Sequence, residues 1–161
     1  MTGAVASKSR VTLNHSELEM ASGVGLRRHV SAMCANRTIQ HGINPEDCWR
    51  AHIEGACGEL AVAKFLGWYW DGSVDTFRGR PDLGNIEIRT RSKHSYDLIV
   101  RNDDDPENVF ILVTGIAPNF WIRGWIHGKE ARRDEWKQSY GGRPEAWFVP
   151  SEALKPFKEG S

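Results

Sequence analysis

The six residues Ile86-Glu87-Ile88-Arg89-Thr90-Arg91 constrain the fold more than any other stretch, because they alternate strictly between two chemistries. Successive side chains of a strand point to opposite faces, so Ile86, Ile88 and Thr90 share one face and Glu87, Arg89 and Arg91 the other. The first face calls for a core. The second carries charges that need partners or a cleft, since burying an unpaired charge is costly. Following directly on a long helical pattern, this strand is expected to lie centrally in its sheet.

The helical pattern before it opens at Asn44-Pro45-Glu46-Asp47, with Asn44 as N-cap, proline at the first helical position and acids in the first turn. It runs through Ile53, Ala56, Leu60, Ala63 and Leu66 to a stop at Gly67. Earlier, apolar residues from Leu18 to Cys34 recur at helical spacing, but Gly23 and Gly25 weaken the middle, which predicts a broken helix or two short ones. Val11 to Asn14 reads as a short strand or the lead-in to that helix, and residues 1–10 as a frayed tail.

Downstream, Tyr96 to Arg101, Val109 to Thr114, Phe120 to Ile126 and Ala146 to Val149 read as further strands. Lys129 to Lys137 reads as a short charged helix and Ser151 to Leu154 as one helical turn. The acidic run from Asn102 to Asn108 lacks the ligand alternation and glycine of a calcium loop and reads as a solvated turn. Helices followed by strands with a late helix predict one α/β domain over residues 11–157, a mixed central β-sheet of about five strands flanked by helices.

Composition adds exclusions. Lys plus Arg and Asp plus Glu both total 21, so net charge gives no sign of a nucleic-acid partner and any basic surface must be local. No apolar run reaches the roughly 18 residues of a membrane span, and there is no secretory layout at the N-terminus. With Cys34, Cys48 and Cys57 following no paired spacing, a cytoplasmic, reducing compartment is the expectation. Most of the seven tryptophans are expected in core or sheet-face packing.

Asp82, in the bend Arg80-Pro81-Asp82, and Glu87, inside the strand, are spaced so that a turn between them brings two carboxylates to one divalent ion, with the Ile88 carbonyl as a third oxygen. Arg89 stands two residues on, about 7 Å away by strand rise and beside the position a phosphate would take. Glu59 lies on the helix side expected to pack on the sheet, where a carboxylate demands a partner. Arg78, Arg80, Arg91, Lys93 and Arg101 would give the cleft a basic rim suited to phosphate.

Gly58-Glu59 followed by Ala61 and Phe65-Leu66, then Pro81-Asp82 and Glu87-Ile88-Arg89-Thr90-Arg91, resembles the PD-(D/E)XK nuclease superfamily over about Ile53 to Val113. Small resolvase-like and restriction-endonuclease-like domains are the nearest in pattern. The resemblance implies Mg²⁺- or Mn²⁺-dependent hydrolysis of DNA, with RNA also open. It implies Asp82 and Glu87 as metal ligands, Glu59 as a supporting acid, and the Arg89 position as the catalytic cation. It also allows a homodimer, since domains of this kind often cut two strands as a pair.

Where the family carries lysine, this chain has Arg89, which stabilises phosphate charge but stays protonated and cannot serve as a general base. Lys93 is the nearby lysine. The substitution opens a second reading, a catalytically silent nuclease-like domain that binds nucleic acid or a protein. For Asp82, Glu87 and Arg89 the plainer alternative is a structural ion-pair cluster, and for Glu59 a pairing with an arginine. His94 and Tyr96 read as a turn histidine and a packed tyrosine. Zinc is disfavoured: Cys48 and His52 are spaced i, i+4, but His29 and Cys34 are five apart and share no helix face.

Overall fold

The computed structural model describes residues 10–35, 44–72 and 86–158. Asn14 starts the first helix. Its side chain accepts from the Glu17 backbone N–H while Glu17 accepts from the Asn14 N–H, so two of the open donors of a helix start are satisfied together. Just before it lies β1 (Arg10–Thr12), so Arg10 belongs to a strand and not to a tail.

Helix α1 (His15–Cys34) is continuous, contrary to the expected break. The reason is packing. A Cβ on Gly25 would stand 2.5 Å from the Ile53 Cα and 2.7 Å from the His52 carbonyl oxygen, so glycine lets α1 approach the next helix backbone to backbone. That helix, α2 (Cys48–Leu66), follows a 3-10 turn at Pro45–Asp47. Asn44 makes no side-chain cap, whereas Gly67 closes α2 in the left-handed region at φ 68°.

Strands β2 (Ile86–Arg91), β3 (Leu98–Arg101), β4 (Val109–Ile116) and β5 (Asn119–His127) lead into a short α3 (Gly128–Ala131), then β6 (Lys137–Gln138) and β7 (Ala146–Val149). The expected helix over 129–137 is thus cut to α3 and a 3-10 turn at Asp134–Trp136, and the turn at Ser151–Ala153 is also 3-10.

The protein is mixed α/β, but its strands form two sheets instead of one: β1-β5-β4-β2, with β2 parallel to β4, and β3-β7-β6, all antiparallel. Among the described residues β2 is an edge strand and not a central one, because β3 leaves to pair with β7.

Two cores lie on the two faces of the larger sheet. On one, Ile111, Val113, Phe120 and Ile122 pack with Cys57, Leu60 and Ala61 of α2, and Ile86 and Ile88 join them. On the other, Phe110, Leu112 and Ile126 meet Leu98, Val100, Trp147 and Val149 of the smaller sheet. Trp147 is buried, Trp125 and Trp136 pack against the cores, and Trp49 and Trp68 are exposed.

Candidate functional site

The alternation of β2 works as its sequence demands. Ile86, Ile88 and Thr90 face α2, with Thr90 lying directly on Gly58. Glu87, Arg89 and Arg91 therefore point the other way, into the seam where the smaller sheet meets the edge of the larger one.

In that seam the Arg89 guanidinium is clamped. Its Nη2 donates to Glu87 Oε2 at 2.8 Å and to Asp104 Oδ1 at 2.7 Å, its Nε to the Ile99 carbonyl at 3.4 Å, and its plane lies 5.1 Å from the Phe110 ring centroid. Asn108 Nδ2 donates to the other Glu87 oxygen at 2.8 Å. Asp104 also accepts from the Arg101 backbone N–H at 2.7 Å, and its carbonyl accepts from Arg132 Nη2 at 2.5 Å.

Asp104 is the residue that sequence reasoning missed. Read as part of a solvated turn, it has a side chain only 12% exposed and is the anchor of the cluster. The signal was present in the sense that a strand face carrying Arg89 and Arg91 needs acids from elsewhere in the chain.

Arg91 donates from Nη1 to the Asp97 carbonyl at 2.9 Å and lies 4.7 Å from the Tyr96 ring centroid; Lys93 Nζ lies 5.4 Å from the same ring. Burial holds the Arg91 guanidinium below its usual pKa, with Tyr96 and Asp97 opposing. Burial also lowers Arg101, and the charges of Arg89 and Arg91 push it the same way against Asp104 and Asp103. Three arginines from two strands are therefore close enough to repel one another.

Glu59 lies elsewhere. Arg28 Nη1 and Nη2 of α1 grip its two oxygens at 2.7 and 2.8 Å, and Trp70 Nε1 donates to it at 3.3 Å. Arg28 is buried, so this is a two-pronged ion pair joining α1 to α2. It belongs to the helix side of the larger sheet, whereas Glu87 and Arg89 belong to the opposite face. The structure does not bring Glu59 to Glu87.

Of the remaining expected site residues, Arg78, Arg80 and Asp82 lie outside the described residues. Among the described residues no group of three His, Cys, Asp or Glu side chains is placed to hold a metal ion. Glu87 is tied to Arg89 and Asn108, and the cation between Glu87 and Asp104 is the guanidinium itself. Of the two carboxylates that the resemblance implies for Mg²⁺ or Mn²⁺, Glu87 is thus held by Arg89 and Asn108, and Asp82 lies outside the described residues.

For the disfavoured zinc set, His29 and His52 do meet, Nδ1 to Nδ1 at 3.2 Å, but the Cys48 thiol donates to the Asn44 carbonyl at 3.4 Å and Cys34 is exposed.

The fold and this seam define a mixed α/β protein with an arginine-rich seam between its two sheets. No known family model matches the chain, and comparison with curated proteins and with solved structures finds no match. No helix among the described residues is long and apolar enough to cross a membrane.

Proposed function

We propose that this chain is a nucleic-acid-binding domain that holds a phosphate backbone at the seam between β2 and β3 without cutting it. The observation that carries this reading is the crowding of Arg89, Arg91 and Arg101, where the only direct carboxylate partners among the described residues are the two that clamp Arg89. A phosphate docking there relieves the repulsion and releases condensed counterions. Support also comes from the carboxylates: Glu59 is committed to Arg28, Glu87 to Arg89 and Asn108, and Arg89 supplies no general base. DNA is the partner taken for the test, and RNA offers the same phosphates.

Binding of a labelled DNA in EDTA, titrated over a series of salt concentrations, tests the proposal. Affinity that falls steeply with salt is expected, with a shallower dependence in Arg101→Gln. Neutralising one phosphate-binding cation should reduce the slope of log affinity against log salt by about one. Binding that ignores salt would refute the proposal.

A second reading, Mg²⁺- or Mn²⁺-dependent hydrolysis of DNA, is favoured by one observation. Glu87 and Asp104 converge on a single nitrogen of Arg89, so two carboxylates already meet on the face where the resemblance puts the reaction. It further requires Asp82 beside them. Cleavage that disappears in Glu87→Ala and in EDTA would select it.

A further inference from the structure

One register row crosses the entire larger sheet: Arg91 of β2 pairs with Thr114 of β4, Thr114 with Trp121 of β5, and Trp121 with Arg10 of β1. Paired residues share a face, and this is the face of Phe110 and Leu112. The smaller sheet covers those two residues; in the next row Thr114 is buried as well, and Trp121 is half-buried. Three inter-strand steps set the two arginines about 14 Å apart, with an indole between them.

The surroundings of the row are built. Leu112 pairs with Gly124 and Val113 with Ile122, which leaves Arg123 as the extra residue of a β-bulge, a device that re-aims a side chain. Arg123 reaches back to Thr114 Oγ1 and the His94 carbonyl, both at 3.4 Å, and to Ser151 Oγ at 3.3 Å. His94 Nδ1 lies 2.7 Å from the same, fully buried Thr114 oxygen, and its ring meets Trp121 edge-on at 4.7 Å. The Arg123 guanidinium and the His94 ring therefore meet on one buried hydroxyl. Arg10 lies 5.4 Å from the Trp121 ring centroid and is held by the neutral Asn119 amide at 2.8 Å. Tyr96, 37% exposed, has Arg91 and Lys93 beside its ring.

Among the described residues, Arg10, Lys93 and Arg123 enter no ion pair, so the strip keeps a net positive charge. Cations alternating with aromatic rings suit a strand whose bases are free to stack while its phosphates stay charged; a duplex hides its base faces. We propose that this strip, Arg10, Trp121, His94, Arg123, Lys93 and Tyr96, is a docking surface for single-stranded nucleic acid, continuous through Arg91 with the seam between β2 and β3. It rests on the nucleic-acid reading above and names the substrate form.

The test compares a labelled single-stranded oligonucleotide with its duplex, in EDTA, on the full chain. The parent is expected to bind the single strand more tightly. Tyr96→Ala and Trp121→Ala should each weaken single-strand binding by about tenfold or more, leaving duplex binding little changed. Tyr96 is exposed enough for its variant to fold, which circular dichroism verifies, and Lys93→Gln should weaken binding with a shallower salt slope. Arg101→Gln, which tests the broader reading, should weaken both forms alike. Equal affinity for both forms, with Tyr96→Ala unchanged, overturns the stacking surface and leaves phosphate binding at the seam standing. Absence of binding to either form overturns both.

Discussion

Replacing Glu59 with glutamine keeps its shape and removes its charge, so the two charge-assisted bonds that the buried Arg28 guanidinium makes to Glu59 become bonds to a neutral amide. Arg28 is 5% exposed and Glu59 30% exposed, with two charge-assisted bonds between them at 2.7 and 2.8 Å. Breaking one side of a buried pair costs about 3–5 kcal/mol. Because water reaches Glu59 in part, the low end applies, about 3 kcal/mol, which for a chain of 161 residues lowers Tm by roughly 6–12 °C. The double variant Arg28→Met with Glu59→Gln removes both charges and should recover much of that loss, so the double-mutant cycle reads the coupling directly. Thermal unfolding followed by circular dichroism measures all four proteins. An unchanged Tm in Glu59→Gln, together with loss of a metal-dependent DNA cleavage, would refute the reasoning and place Glu59 at a substrate.

Four other outcomes follow from local geometry. Asn14→Ala breaks the side-chain half of the capping box and should cost about 1 kcal/mol in denaturant unfolding. Burial tends to raise the Glu17 carboxyl, but the Asn14 N–H and Lys64 hold it below its ordinary value. Its contribution is thus present above the unfolded pKa and lost as pH falls through the folded one, so Glu17→Gln should flatten the acid side of the stability profile. Gly25→Ala should destabilise by about 1–3 kcal/mol by forcing α1 from α2, whereas Gly23→Ala, with open space at its Cβ, should stabilise by up to about 1 kcal/mol; equal effects would contradict the close approach at Gly25. Burial pushes the Cys57 thiol up to about 11, with Glu54 adding and Ser22 opposing, and Cys48 is also buried. A thiol reagent at neutral pH should therefore label Cys34 fast, and the other two only on unfolding.

The elements were largely legible because their signals are local. The alternation in β2, the matching runs in β4, β5 and β7, and the αL glycine ending α2 all lie within a few residues. Asn14-x-x-Glu17 is also a local signal, and it marks the true cap where Asn44 does not. Strand order was not legible, because whether β3 extends the first sheet or leaves to pair with β7 depends on partners almost fifty residues away. That single choice put β2 at an edge among the described residues and brought Asp104 onto Arg89.

The site divides in the same way. That Glu87 and Arg89 share a face follows from a period of two. That Glu59 falls on the other side of the sheet depends on how α1 packs on α2, where Arg28 competes for it. A helix glutamate beside apolar residues signals that a cation is near, without saying which.

The central claim is binding without cutting. It is tested most directly by incubating the purified chain with DNA in Mg²⁺, in Mn²⁺ and in EDTA, and measuring bound and cleaved DNA together in the parent and in Glu87→Ala. The account predicts salt-sensitive binding in all three conditions and intact DNA throughout. Cleavage by the parent that disappears in both EDTA and Glu87→Ala would contradict it and establish a metal-dependent nuclease that works with arginine at position 89.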